Sequence, residues 1–243
     1  MKKALSLLIL LAVSLPIVAE AYILPAHFIV RTLAEKQRQL RIKDWSLILS
    51  TEYPEKNEVI EERLYLKRPE RVHLIQTTDE QRLYIEREGI SAVGAGESLT
   101  RGAGAITNLF GGLMLTRGAD LDGLSERIIT LLTRSGINTE VVSLGRIKEQ
   151  PVYIIGAQIG EPEKPQIWFD KDTFLPLRWI VYNQGETRGI KVEMLMSDYG
   201  SSPAGNIYPR SVKTYRDNKL YSHSQVLEAK TNQSLPESLF RLP

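Results

Sequence analysis

The clearest pattern in the chain is an alternation of apolar and polar residues between positions 64 and 74. Leu64, Leu66, Val72 and Leu74 fall on one side of an extended chain, which is the period of two expected for a half-buried strand. Pro69 interrupts the run. Because proline cannot donate a hydrogen bond to a central ladder, the pattern predicts either two antiparallel strands that meet at a bend or one broken edge strand.

The same alternation predicts strands along most of the chain. Trp45, Leu47 and Leu49 share one face of the first predicted strand, and Leu83 and Ile85 share one face of a later strand. The segments between predicted strands are short and carry turn residues, so we expect antiparallel neighbours in a meander. The predicted strands cover residues 45–51, 58–66, 71–77, 81–86, 141–144, 152–157, 166–170, 175–181, 190–196, 211–216 and 225–229.

Two segments have the apolar spacing of amphipathic helices. Residues 25–40 carry apolar side chains on one face and begin with Pro25, which suits the first turn of a helix. Residues 121–132 repeat the pattern, and Gly136 is the predicted C-terminal stop of this second helix.

The segment between Gly89 and Gly118 combines frequent glycines with an apolar helical pattern, which predicts a helix over residues 103–115. Glycine inside a helix costs about 1 kcal/mol relative to alanine, so this helix is predicted to be marginal. A weak apolar helix suits a mobile lid, but the same periodicity also describes a fixed, buried helix. The residues that would plug a cavity in the first case are Phe110, Leu113 and Met114.

The N-terminus has the three parts of a secretory signal peptide: a basic start, an apolar run over residues 4–18 and a small-x-small sequence at 19–21. Cleavage after Ala21 would leave residues 22–243 as a single exported domain. The apolar run is short for a membrane span and contains Pro16, although an uncleaved N-terminal anchor would have the same features.

Composition narrows the possible functions. The chain of 243 residues has no cysteine, which excludes disulfides, thiol catalysis and a lipid-modified N-terminal cysteine. Its formal net charge of +2 gives no reason to expect nucleic acid as a partner.

Residue patterns for catalysis and for metal binding are poor, so no enzyme activity, cofactor or metal is expected. The three histidines lie far apart in sequence, and His73 alternates onto the presumed outer face, where a solvated side chain is expected. The sequence contains no positioned nucleophile and base, no phosphate loop and no dinucleotide loop. Asp170 and Asp172 are interpreted as turn residues.

Three stretches resemble the LolA-type periplasmic carriers of lipoproteins. Leu-Tyr-Leu-Lys-Arg-Pro at 64–69 is similar to the family segment in which an aromatic-containing strand ends in Lys-Arg-Pro. The second stretch, at 167–178, resembles the family's strand, acidic turn and returning strand, and its sequence is Ile-Trp-Phe-Asp-Lys-Asp-Thr-Phe-Leu-Pro-Leu-Arg. The third stretch, Leu-Pro-Glu-Ser-Leu-Phe at 235–240, resembles the C-terminal end of such chains, where an apolar residue packs under the sheet. The implied fold is mainly β (α+β): an incomplete, strongly curved antiparallel β-barrel with helices covering the open mouth as a lid.

The resemblance also implies roles for individual residues. Arg68, the arginine of the motif, would bond to lid backbone carbonyls and hold the lid closed, the alternative being a strand-end arginine that reaches solvent. Val72 replaces the family's cavity aromatic and is assigned to the wall, and Trp168, Trp179 and Met194 are assigned to the same cavity. The expected lipid-binding residues are Trp45, Leu47, Leu49, Leu64, Leu66, Val72, Leu74, Leu83 and Ile85, with Leu109, Phe110, Leu113 and Met114.

The function implied by the resemblance is that of a carrier in the periplasm of a Gram-negative-type bacterium. It would bind the acyl chains of lipoproteins, or other lipids, and deliver them toward the outer membrane. The implied partners are an inner-membrane release complex and an outer-membrane acceptor, and a monomer is expected. Two alternatives stay open: a lipid-sensing regulatory protein that acts through a protein partner, and a structural envelope protein whose sheet is filled by its own side chains.

Overall fold

The computed structural model describes residues 23–67, 71–76, 81–86, 89–93, 121–182, 189–199 and 208–240, with the backbone alone described at 71–72, 76, 81–86 and 89–93. Helix α1 is Ala26–Gln39 and helix α2 is Leu121–Arg134. The strands are β1 Asp44–Tyr53, β2 Glu58–Lys67, β3 Arg71–Gln76, β4 Gln81–Glu86, β5 Gly89–Val93, β6 Val142–Ile147, β7 Gln150–Ile155, β8 Gln166–Asp170, β9 Pro176–Tyr182, β10 Lys191–Tyr199, β11 Pro209–Arg216 and β12 Lys219–Thr231.

The strands form one antiparallel sheet in the order β5-β4-β3-β2-β1-β12-β11-β10-β9-β8-β7-β6. Neighbours in the sheet are neighbours in sequence, as the short connections predicted, except where β1 pairs with β12. Strands β5 and β6 are the two edges of this sheet although they are consecutive along the described chain, and the connection between them carries α2. The architecture is therefore an incomplete barrel.

The pairing of β1 with β12 joins the two ends of the described chain. Trp45 lies opposite Thr231 at one end of this ladder. Beyond it, the N–H groups of Asn232 and Gln233 donate to the backbone carbonyl and to the carboxylate of Asp44, at 2.9 Å and 2.7 Å. These bonds extend the contact past the last strand residue, so the C-terminal segment is fixed at the start of β1.

One face of the sheet wraps around the two helices. Apolar side chains from β1–β3 and from β6–β12 form one buried cluster with α1 and α2. Twelve flat strands would span more than 50 Å, about five times the diameter of one helix, so side chains from both halves can share a core only if the sheet is strongly curved. We call the face toward the helices the concave face and the opposite one the outer face.

The observed elements agree with most of the predicted ones, but one strand was missed and another was predicted too short. The glycine-rich segment predicted from position 89 begins with a strand, β5, because residues 89–93 pair with β4. The last strand is Lys219–Thr231 rather than 225–229, since pairing with both β1 and β11 extends it beyond its apolar residues. Helix α2 ends before Gly136, whose φ of +82° confirms the predicted stop. The lid predicted at 103–115 lies outside the described residues.

The expectation of a solvated His73 was also wrong. His73 does face outward beside Tyr65, but it is only 3% exposed. The C-terminal turn Glu237–Phe240 packs against β3, and Lys67 at the end of β2 forms an ion pair with Glu237 at 2.7 Å. Local alternation identified the face of His73 correctly, but it contains no information about a segment that packs on that face from 160 residues away.

The turn between β8 and β9 depends on Asp170, as its interpretation as a turn residue predicted. Its Oδ1 accepts hydrogen bonds from the Thr173 N–H at 2.6 Å and the Thr173 hydroxyl at 2.5 Å, and its Oδ2 accepts from Gln150 Nε2 at 2.6 Å. Burial opposes ionisation, but the bonds from Thr173, Gln150 and the Asp172 N–H outweigh it and lower the pKa of Asp170 below its ordinary value of 3.8.

Gly156 follows β7 in a conformation that only glycine adopts without strain. Its φ is +107°, and a Cβ atom there would lie 2.5 Å from the Pro165 carbonyl oxygen and 2.8 Å from Ile137 Cγ2. Gly160, in the following loop, has a similar φ of +88° but no atom within 4 Å of the same position. A comparison of alanine variants at the two positions therefore distinguishes the cost of backbone strain, which both share, from the cost of a steric clash, which occurs only at Gly156.

We expect Gly156→Ala to reduce the free energy of unfolding more than Gly160→Ala does. Both variants place alanine in left-handed backbone at a cost of about 1–2 kcal/mol, but only the first also forces atoms apart, which adds about 1–3 kcal/mol. Urea denaturation of the full chain measures both values. Equal losses in the two variants would contradict the close packing around Gly156.

We expect Asp170→Asn to lower stability by about 1–3 kcal/mol at neutral pH, because it weakens the four hydrogen bonds to a buried carboxylate. A lowered pKa in the folded state contributes stability above the ordinary value of 3.8 that is lost as the pH falls through the folded pKa. The difference between the two proteins should therefore shrink below about pH 4. Asp172→Asn, at an exposed neighbour, is the control, and a pH-independent difference for Asp170→Asn would contradict this account.

Candidate functional site

The wall residues predicted from sequence lie together on the concave face. The six whose side chains are described are at most 2% exposed and belong to the core shared with both helices. The backbone register places the other three in the same rows, with Val72 between Leu66 and Ile85 and with Leu83 opposite Leu74. Arg68, Leu109, Phe110, Leu113 and Met114 lie outside the described residues. The six described wall residues are Trp45, Leu47, Leu49, Leu64, Leu66 and Leu74.

The second half of the sheet adds Trp179 and Met194 to this face and places Trp168 on the other. Trp179 and Met194 lie opposite each other on β9 and β10 and belong to the concave core. The prediction for Trp168 was wrong because its neighbours Ile167 and Phe169 both point into that core, and alternation along β8 turns Trp168 outward.

The concave face also has a polar part that sequence reasoning missed. Thr51 of β1 donates to Glu62 Oε2 of β2 at 2.5 Å and shares a hydrogen bond of 2.9 Å with the Ser224 hydroxyl of β12. Thr214 and Ser222 lie opposite each other on β11 and β12. All five residues are at most 4% exposed, and we call them the polar end. The sequence feature that could have revealed them is strand parity, because Thr51 lies on the same face as Leu49 and Glu62 on the same face as Leu64.

Two tyrosines and an arginine adjoin the polar end. Tyr53 of β1 meets Tyr221 of β12 edge to face, with 5.6 Å between ring centroids, and the Arg216 guanidinium lies 3.4 Å from the centroid of Tyr221. Burial raises the pKa of Tyr53 well above its ordinary value, the Glu62 carboxylate raises it further, and Arg216 partly opposes the shift. Both charged groups therefore act on the same tyrosine hydroxyl.

Three N–H donors toward this interior lack acceptors within the described part of the chain. They belong to the indoles of Trp45 and Trp179, which are 2% and 1% exposed, and to the Nε of Arg216. Buried donors in proteins nearly always have a partner, and an unpaired one weakens the fold. Such groups are therefore candidates for contacts with a bound molecule.

The outer face carries a cavity of about 670 Å³ at the β6–β9 end of the sheet. Its floor includes Ile154 and Trp168, and the Arg178 guanidinium stacks 4.7 Å from the Trp168 ring centroid. Arg178 also forms an ion pair with Glu193 at 2.8 Å, so its charge is balanced within the protein. This cavity and the concave wall lie on opposite sides of one sheet.

The described residues offer neither a metal site nor a helix that could span a membrane. They contain no group of three histidine, cysteine or carboxylate side chains placed to hold a metal ion. Neither α1 nor α2 is long and apolar enough to cross a membrane.

Comparison with known proteins identifies the fold. No family model matches the chain, and no curated protein matches its sequence. Two solved structures are similar along nearly their whole length. A LolA superfamily protein from Nitrosomonas europaea has a TM-score of 0.52 and 12% identity, over 90% of this chain and 98% of that one. An outer membrane lipoprotein-sorting protein domain from Vibrio parahaemolyticus has a TM-score of 0.51 and 11% identity, over 89% and 97%. The chain therefore has a LolA-like fold.

Proposed function

We propose that this protein binds the acyl chains of lipids or lipoproteins on the concave face of its sheet and carries them through the periplasm. The observation that carries the proposal is the continuous apolar wall of Trp45, Leu47, Leu49, Leu64 and Leu66, which lies beneath two separate helices rather than beneath a second sheet. Helices can move away from such a wall without breaking the hydrogen-bonded ladder.

The fold comparison supports a binding role over a catalytic one. The two solved structures compared above are a LolA superfamily protein and a lipoprotein-sorting domain by name, and their folds are similar to that of this chain. A carrier of this kind needs a cavity and a cover instead of a reactive group. In this chain the buried wall would line the cavity, and α1 and α2 would form part of the cover.

Binding must compete with the core that the protein already has. Each buried methylene contributes about 0.8 kcal/mol, so an acyl chain gains about 10 kcal/mol before ordering costs. The helices pack on the concave face, and this packing would serve as the closed form that a carrier requires in order to release its cargo. Lipid would enter by displacing helical side chains from the wall.

The three tryptophans of the chain provide a direct test, because Trp45 and Trp179 lie on the concave face and Trp168 on the outer face. Three variants would each retain one tryptophan and carry phenylalanine at the other two positions. With lipids brominated on their acyl chains, we expect strong fluorescence quenching of Trp45 and Trp179 and little quenching of Trp168. Bromine quenches only at short range, so the pattern reports where the chains lie.

The opposite pattern would change the conclusion. Quenching of Trp168 alone would indicate that the acyl chains bind in the outer cavity. No quenching in any variant that retains its circular dichroism would favour the structural alternative, in which the sheet is filled by its own side chains. Lipid bound without transfer to an acceptor membrane would favour the sensor.

We further propose Arg68 as the latch of the closed state, and we expect Arg68→Leu to bind lipid but release it slowly. Loss of charge-assisted hydrogen bonds that favour the closed form would slow release by about tenfold. The measurement is transfer of a labelled lipoprotein from the protein to acceptor membranes. Arg63→Leu is the matched control, since Arg63 lies on the outer face of β2, half exposed and 3.6 Å from Glu61. Equal transfer rates for Arg68→Leu and Arg63→Leu would contradict the proposed role of Arg68 as the latch.

A further inference from the structure

The outer cavity lies on the side of the sheet away from both helices, so the proposed lipid binding does not use it. Its floor includes Ile154 on β7 and Trp168 on β8, which lie opposite each other. Its wall is the loop that joins these two strands, residues 158–162. The volume of about 670 Å³ is in the range of pockets that hold small molecules.

Gly145 keeps the floor in place on the β6 side. It alternates with Leu144, which packs in the concave core, and it lies opposite Val152 on the outer face. A Cβ atom at position 145 would lie 2.7 Å from Ile154 Cδ1 and 3.6 Å from Val152 Cγ2. A larger residue there would therefore displace Ile154 from the floor, so the shape of the cavity depends on glycine at this position.

Hydrogen bonds hold the loop over the floor. Gln166 is 2% exposed, and its Nε2 donates to the carbonyl oxygens of Glu161 and Lys164 at 2.8 Å and 2.9 Å. Its Oε1 accepts from the Trp168 indole N–H at 2.7 Å. The Gln158 N–H donates to the Glu161 carboxylate at 2.9 Å. One buried amide thus connects the wall to the floor, and a ligand would bind without first ordering this loop.

The wall presents an apolar side chain to solvent. Ile159 is 70% exposed, the highest exposed fraction of any large apolar side chain in the described part of the chain. It lines the same cavity as Trp168, which is only partly buried. A single exposed isoleucine is ordinary, but beside an open hollow with an apolar floor it adds to one continuous surface that an apolar molecule could cover.

The charges on the lining favour an anion over a cation. The charged side chains that line the cavity in the described part of the chain are Arg146, Lys171, Arg178 and Glu161. Arg178 is paired with Glu193 at 2.8 Å. Glu161 is paired with Lys164 at 2.6 Å. The two that remain are both cations.

These two cations, Arg146 and Lys171, lie at one end of the cavity. Arg146 is opposite Pro151 on β7, and the Lys171 N–H donates to the Pro151 carbonyl at 3.1 Å. Glu149 lies 3.8 Å from the Arg146 guanidinium, but it is 99% exposed, and ion pairs of this kind are weak in water. An anionic group at this end would therefore meet two positive charges while the apolar part of the same molecule covers the floor.

We propose that the outer cavity binds a compact amphipathic carboxylate, with its apolar body on Ile154 and Trp168 and its carboxylate toward Arg146 and Lys171. The fixed wall favours a rigid body over a flexible acyl chain, because a rigid ligand loses less conformational freedom on binding. The site goes beyond the proposed function and does not depend on it, since the two lie on opposite faces of one sheet.

The first test locates the ligand with 6-bromo-2-naphthoate, whose bromine quenches tryptophan fluorescence only at short range. The three variants that each retain one tryptophan serve here as well. We expect quenching of Trp168, which lies on the floor, and little quenching of Trp45 or Trp179 on the concave face.

The second test measures the charge preference of the full chain by isothermal titration calorimetry. Three probes share the naphthalene body: 2-naphthoate is anionic, 2-naphthalenemethanol is neutral, and 2-naphthylmethylamine is cationic at neutral pH. We expect naphthoate to bind about tenfold more tightly than the amine, with the alcohol between them.

A double variant assigns this preference to the cationic end. Arg146→Gln with Lys171→Gln should lower the affinity for naphthoate about tenfold and leave that for the alcohol unchanged. The matched control is Arg63→Gln with Lys213→Gln, which removes the same net charge from solvent-accessible positions elsewhere on the outer face. The control should bind all three probes as the wild-type protein does.

A surface substitution tests the wall with little risk to folding. Ile159 and Val59 are 70% and 66% exposed, but only Ile159 lines the cavity. Ile159→Asp should lower the affinity for naphthoate about tenfold, because it removes apolar contact and repels the carboxylate. Val59→Asp carries the same change in charge and should leave the affinity unchanged.

The outcomes decide for or against the site. Quenching confined to Trp168, together with the expected order of the probes and the loss in Ile159→Asp, would support it. Quenching of Trp45 or Trp179 instead, equal affinities for the three probes, or equal affinities of Ile159→Asp and Val59→Asp would overturn it. Failure of the wild-type protein to bind naphthoate would also overturn the site, and the proposed lipid binding on the concave face would stand.

Discussion

The ladder between β1 and β12 is the contact on which the rest of the structure depends. It is the one pairing in the described sheet between strands that are distant in sequence, and it joins a five-strand half to a seven-strand half. Without it, each half would be a separate meander with one open face. With it, apolar residues of both halves face the same two helices, and the polar end is assembled from β2, β1, β12 and β11 across the junction.

The position of the polar end follows from this junction. Glu62 and Thr51 belong to the first half and Ser224, Thr214 and Arg216 to the second, so neither half carries the complete set of charges. The apolar wall does not depend on the junction in this way, because each half of the sheet contributes apolar residues of its own to the concave face. The same contact that completes the sheet therefore also determines where polar residues are enclosed within an otherwise apolar interior.

Much of the fold could be predicted from the sequence because alternation on a curved sheet is a local property. Trp45, Leu47 and Leu49 were correctly assigned to one buried face, and Asp170 to a turn, from their nearest neighbours alone. Glu62 was missed although its parity is that of Leu64. A carboxylate in a strand is ordinarily solvated, and the hydrogen bond that Glu62 accepts from the Thr51 hydroxyl on the next strand cannot be read from parity.

His73 and Trp168, on the outer face, show what local alternation cannot predict. Both face outward, as alternation along their strands requires, yet His73 is covered by the C-terminal turn and Trp168 lies in the outer cavity beside Arg178. What covers an outer face is decided by segments far away in sequence. Strand β5 escaped notice for a related reason, since its five residues have little pattern and become a strand through pairing with β4.

The position of β12 at the end of the chain has a consequence for the order of events during synthesis. A ribosome releases β1 about 170 residues before β12, and during that interval the edge of β1 that β12 will occupy has no native partner. Folding to completion is postponed until the last strand emerges.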